Sequence, residues 1–121
     1  MRTTVIRHLS RYAWAVGTSA TPYYSATSGA STVIVHWDGT TWTRIPSPNP
    51  GSESYLRGVA ATSPTDAWAV GNSYTATGLK SVIEHWDGTA WTPVPSQNSP
   101  LYGVAATSPA NAWAVGSGQR N

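Results

Sequence analysis

Two kinds of short apolar stretch alternate along the chain, and both alternate with period two. In SVIEHWDGTAWTPVP (81–95), Val82, Glu84 and Trp86 fall on one side of an extended chain and Ile83 and His85 on the other. Beyond Asp87-Gly88, Trp91 and Pro93 share one side and Thr92 and Val94 the other. Asp-Gly between β-branched and aromatic runs predicts a β-hairpin with a tight type I′ turn, and proline in its second strand predicts a sheet edge. Val33 to Pro46 reads the same way.

The second kind, GVAATSPTDAWAVG (58–71), predicts two short strands around Ser63-Pro64-Thr65-Asp66. Its first strand is rich in Gly and Ala, which suits close approach of neighbouring backbones. In its second strand Trp68 and Val70 share one face, Ala67 and Ala69 the other. Pro and Gly bracket both runs too closely for a helix.

Both stretches recur. HWDGTTW (36–42) returns as HWDGTAW (85–91), AWAVG occurs at 13–17, 67–71 and 112–116, and LRGVAATSP (56–64) returns as LYGVAATSP (101–109). Aligned on AWAVG, RTTVIRHLSRYAWAVG (2–17) is a third copy of the first unit that has lost most of its phrase. AWAVG copies are 54 and 45 residues apart, and the difference lies between the units: TSATPYYSATSGAS against NSYTATGLK, and SPNPGSESY against SQNSP. Length variation between constant units predicts loops on a fixed scaffold.

Two hairpins make four antiparallel strands in about 45–50 residues, the size of a β-propeller blade. The expected fold is all-β: one propeller segment over 1–121, with hairpins at about 2–17, 31–46, 56–71, 81–95 and 100–116. The AWAVG and HWDGTxW phrases resemble the repeats of secreted bacterial β-propeller proteins over nearly the whole chain. The D-G-T-x-W turn is similar to the Asp-box of sialidase-like propellers, S-x-D-x-G-x-T-W. Asp38/Trp42 and Asp87/Trp91 match it loosely, one residue being missing between Asp and Gly, so sialidase activity does not carry over. The repeat length is similar to that of tectonin-like and tachylectin-like lectins, whose motifs are not reproduced.

Composition narrows the function. The formal net charge is +2 with 10% charged residues, too sparse for a nucleic-acid footprint; Arg2, Arg7, His8 and Arg11 form the one local excess and read as a solvated tail. There is no cysteine, hence no disulfide, zinc ribbon or thiol chemistry, and no apolar run of membrane-spanning length or signal-peptide pattern. Low charge with abundant Ser, Thr, Gly and Asn leans towards an extracellular or cell-surface protein.

His36-Trp37-Asp38-Gly39 and His85-Trp86-Asp87-Gly88 place a His and an Asp two apart, the spacing of a metal or acid/base pair. Their duplication favours a structural His–Asp contact that locks each turn, so no catalytic residue, metal or cofactor is assigned. Trp14, Trp68 and Trp113, with Trp37, Trp42, Trp86 and Trp91, recur in register and read as packing residues. The residues that differ between repeats are better binding candidates: Tyr23, Tyr24 and Tyr74 in the loops after AWAVG, Lys80 closing the second of those loops, and Arg57 and Tyr102 at equivalent places beside the inner-strand glycine. Tyrosine rings amid hydroxyls and amides suit a glycan. The glutamates Glu53 and Glu84 cannot be placed as a glycosidase pair, Val35 standing at the position of Glu84 in the other repeat.

Five hairpins make two and a half blades, and both terminal units are of the AWAVG kind, so no number of identical chains balances the two kinds. Either the degraded first hairpin is displaced or disordered, or its blade pairs differently, or the chain is an excerpt of a longer propeller. The expectation is a non-catalytic binding module that associates with itself, as a ring or an end-to-end array, with glycan the ligand class its loops suit. A structural, self-assembling extracellular protein that forms rings or filaments is the alternative, and a fragment of a sialidase-like enzyme comes last.

Overall fold

The computed structural model describes residues 3–8, 12–20, 30–49, 53–75, 78–95 and 99–117, and these form ten strands and no helix. They are β1 (Thr3–His8), β2 (Tyr12–Ala20), β3 (Ala30–Trp37), β4 (Trp42–Ile45), β5 (Glu53–Ser63), β6 (Asp66–Thr75), β7 (Gly78–Trp86), β8 (Trp91–Val94), β9 (Leu101–Ser108) and β10 (Asn111–Gly116). Strands pair strictly with their sequence neighbours, giving two four-stranded antiparallel meanders, β1–β4 and β5–β8, and a two-stranded third sheet, β9–β10.

The duplicated phrases hold the same register in both meanders. Ala13, Ala15 and Gly17 oppose Trp37, Val35 and Val33, as Ala67, Ala69 and Gly71 oppose Trp86, Glu84 and Val82. The face of the first meander carrying Trp14, Val16, Ile34 and Ile45 packs on the second-meander face carrying Leu56, Val59, Ala67, Ala69, Val82, Trp86 and Trp91, and this is the core. Trp14 stands at its centre, edge-on to Trp86 and Trp91 at 5.2 and 5.1 Å. The opposite face of the second meander carries Trp68, Val70, Ile83 and Val94, counterparts of the first four.

The glycine of AWAVG has a steric cause. A Cβ on Gly71 would lie 1.8 Å from the Tyr55 carbonyl oxygen, and one on Gly116 1.9 Å from that of Pro100. Opposite each the ladder slips by one residue, around Arg57 and around Tyr102, so the glycine makes room for a β-bulge in the partner strand.

Two expectations change. The HWDG hairpins close not by two-residue type I′ turns but by four-residue loops, 38–41 and 87–90, between the pairs Trp37–Trp42 and Trp86–Trp91. Asp38 Oδ1 accepts from the amides of Thr40 (2.8 Å) and Thr41 (2.9 Å), and Asp87 Oδ1 from those of Thr89 (2.8 Å) and Ala90 (3.0 Å). Only the glycine that follows needs a positive φ, 101° at Gly39 and 100° at Gly88. Next, the segment NSYTATGLK is mostly strand: β6 runs to Thr75 and β7 starts at Gly78 (φ 120°), with Thr75 Oγ1 donating to the Gly78 carbonyl. Tyr74 and Lys80 are therefore strand residues, not loop residues. As five hairpins require, the fifth stands without an outer hairpin beside it among the described residues, and all six residues of β10 are exposed.

Candidate functional site

The His–Asp pair is real but joins a different aspartate. Asp38 and Asp87 are committed to their own turns; the backbone amides of Thr41 and Thr40, and of Ala90 and Thr89, hold both carboxyls below the usual carboxylate range. His85 Nε2 lies instead 2.6 Å from Oδ1 of Asp66, the first residue of β6, whose other oxygen accepts from Thr62 Oγ1 at 2.5 Å. Asp66 is buried, and the Trp68 ring packs at a tilt against His85, centroids 4.2 Å apart. Trp14 packs against His36 in the same tilted way at 4.4 Å, and burial lowers the His36 pKa, opposed in part by Asp38. Tyr12 occupies the place of Asp66 in the first meander and Asn111 in the third sheet. These contacts tie the outer hairpin to the inner one. No cluster of three or more His, Asp or Glu residues suited to a metal ion occurs among the described residues.

The binding candidates separate. Tyr23 and Tyr24 lie outside the described residues. Lys80 opposes Ser73, on the face of the second meander away from Tyr74. Arg57 and Tyr102 do hold equivalent places, each at a bulge. Arg57 Nε donates to Asn72 Oδ1 at 3.0 Å, and Tyr102 Oη lies 3.5 Å from Ser117 Oγ, at the place of Asn72. Arg57 and Tyr74 meet through a residue the sequence reading passed over. The Tyr55 ring has the Arg57 guanidinium 5.4 Å from its centroid and Tyr74 edge-on at 6.1 Å, and its hydroxyl donates to Glu53 Oε1 at 3.1 Å. Burial, then the Glu53 carboxylate, raises the Tyr55 pKa. Tyr55, Arg57, Asn72 and Tyr74 thus form one polar–aromatic cluster at the β5 start and β6 end. The signal in the sequence was Tyr55, two residues before Arg57.

Trp113 and Val115 stand apart from their homologues. Trp14, Val16 and Val70 are 1% exposed, whereas Trp113 is 57% and Val115 65% exposed. Beside them runs a groove of about 360 Å³, walled by Trp68, Val70, Ile83 and Val94 of the second meander and by Ala112 and Trp113 of β10. Composition and spacing announced the tryptophans as packing residues; only the sheet order reveals which of them lack a cover.

Glu84 was likewise visible as the residue replacing Val35, but not as a buried acid. It is 0% exposed, neither carboxyl oxygen has a hydrogen-bond partner among the described residues, and burial pushes its pKa up to about 8.

Comparisons of the chain with protein-family models, with curated proteins and with solved structures give no match.

Proposed function

We propose that the two meanders are β-propeller blades, that β9–β10 is the inner half of a third, and that the protein is a non-catalytic interaction module working by association with further copies of itself. The observation that carries this reading is β10: a strand with one edge unpaired among the described residues, bearing two large apolar side chains in water. An unpaired flat edge beside an apolar surface is a template for another chain. The commitment of His85 to Asp66, and of Asp38 and Asp87 to their turns, supports a scaffold over an active site.

The test is the mass in solution by light scattering over a hundredfold dilution, for the wild type and for Val115→Lys. The expected result is a mass above that of one chain in the wild type, falling on dilution, and a smaller mass for the variant. A monodisperse, folded monomer at every concentration overturns the reading.

The Tyr55–Arg57–Asn72–Tyr74 cluster supports a second role for the same module, binding of a glycan. Two tyrosine rings, Tyr74 largely exposed, and a guanidinium held by the buried Asn72 offer a ring face for C–H groups and donors for hydroxyls. Glycan-array binding lost in Tyr74→Ala supports it; a folded protein that retains nothing on the array removes it.

A further inference from the structure

The groove beside β10 has a counterpart that is already filled. At the first interface, Trp14, Val16, Ile34 and Ile45 are covered by Val82, Trp86 and Trp91 of the outer hairpin β7–β8, which pairs through β7 to the AWAVG of β6. At the second, their equivalents Trp68, Val70, Ile83 and Val94 face the groove, and the strand that would hold a covering hairpin is β10. β10 carries the same five residues, AWAVG, with which β2 holds β3.

We infer that the β3–β4 hairpin of a second copy of this chain docks in the groove and pairs with β10, leaving its own β2. The register is that of the existing ladders: Ala112, Ala114 and Gly116 opposite Trp37, Val35 and Val33 of the second copy. Trp37 and Trp42 of that copy then enter the groove as Trp86 and Trp91 enter the first interface. This inference rests on the self-association proposed above and names the surfaces that meet.

Four observations select this occupant. First, β7–β8 is engaged, with Glu84 and Trp91 buried, whereas the corresponding face of β3–β4 has Val33, Val35 and Trp37 only half-buried and Trp42 47% exposed. Second, β2 and β10 offer β3 an identical pentapeptide, so the exchange keeps five of the eight ladder residues of β2. Third, β9 fits the stack better than β1. β5 and β9 approach closely at their glycines, a Cβ on Gly58 lying 3.3 Å from the Gly103 Cα, and β1 has Thr4 at that register position. Fourth, Asn111 keeps the side-chain contact of Asp66, donating to Thr107 Oγ1 at 3.1 Å, and stands ready for His36 of the second copy as Asp66 does for His85.

The exchange also gives Trp113 and Val115 a place. With β9–β10 replacing β1–β2 at the first interface of the second copy, they take the positions of Trp14 and Val16 against its Trp86 and Trp91. Each chain then contributes two complete four-stranded sheets, its own β5–β8 and a shared one, and the mismatch of three inner hairpins to two outer ones is resolved by leaving β1–β2 outside.

The chain has no cysteine, so single cysteines report pairing cleanly. Ala114→Cys and Val35→Cys proteins, each checked for wild-type far-UV dichroism, are mixed and oxidised; directly opposed strand residues lie within disulfide reach. The expected result is a mixed disulfide at least tenfold above that from Thr65→Cys mixed with Val35→Cys. A mixed disulfide at the control level, together with an intramolecular bridge in the Ala15→Cys/Val35→Cys protein, overturns the exchange. If light scattering finds oligomers in that case, self-association stands and this pairing falls; if it finds monomers, both fall. Independently of cysteines, the 5-fluorotryptophan resonance of Trp113, assigned through Trp113→Tyr, is expected to move from a solvent-exposed to a buried shift on concentration; an unchanged shift in the oligomer overturns the docking.

Discussion

Glu84 makes the packing between the two meanders sensitive to alkali. Its carboxyl sits in the apolar face formed by Val82, Trp86 and Trp91, fully buried, and burial lifts its pKa from 4.5 to about 8. The folded state therefore holds a proton that the unfolded chain releases near pH 4.5. Below that pH both states are protonated and the group costs nothing electrostatically. As pH rises through 4.5 towards 8 the unfolded state is favoured, and above 8 both are ionised and the loss is complete. Each unit of separation is worth about 1.4 kcal/mol, so between pH 5 and pH 9 the wild type loses about 4 kcal/mol through this group. That is a large part of the 5–15 kcal/mol typical of a domain. Glu84→Val copies the residue at the same register position in the first meander, Val35, and removes the ionisation. Urea unfolding of both proteins at one fixed concentration, from pH 5 to pH 9, is the assay. The variant is expected to gain on the wild type by about 4 kcal/mol over that range, the gain growing with pH up to about 8 and levelling off beyond it. A difference between the two that does not change with pH refutes the reasoning.

Gly71→Ala is expected to abolish folding or cost more than about 3 kcal/mol by urea unfolding, because the new methyl meets the Tyr55 carbonyl rather than a movable side chain. Asp66→Ala strips His85 and Thr62 of a buried partner and is expected to cost about 2–3 kcal/mol, while Asp66→Asn, the residue present at 111, costs less; equal losses would show that the contact is not what matters. Trp14→Ala is expected to cost about 3–5 kcal/mol as a core cavity, whereas Trp113→Ala leaves the stability of the dilute protein nearly unchanged and reduces its mass at high concentration.

The repeats made the strands legible because period-two alternation and the recurrence of AWAVG and HWDGTxW constrain the same residues twice. The alternation of Val82, Glu84 and Trp86 against Ile83 and His85, and the edge position of the strand bearing Pro93, both hold in the sheet order. What failed was chemistry decided by a neighbour. Asp-Gly alone suggests a two-residue turn; the Trp–Trp pairs on either side set the loop at four residues and turn the aspartate inward to its amides. Asp87, two residues from His85, looked like its partner, but Asp66 reaches it from another hairpin across 19 residues. Tyr74 and Lys80 looked like loop residues because Ser, Thr and Asn surround them, yet the hairpin continues to Thr75 and Gly78. Sequence identity among the three AWAVG copies hid the largest difference, since the exposure of Trp113 and Val115 depends on what lies beside β10, not on the pentapeptide.

The central claim is that β10 is an open edge awaiting a strand, and amide hydrogen exchange measures that edge directly. In dilute protein, residues 111–117 are expected to exchange much faster than the matching residues 66–72, of which 67–72 are paired on both sides, and to become comparably protected as the concentration rises. Equal protection of the two segments in a dilute monomer, or fast exchange of 111–117 that persists in the oligomer, would contradict the account.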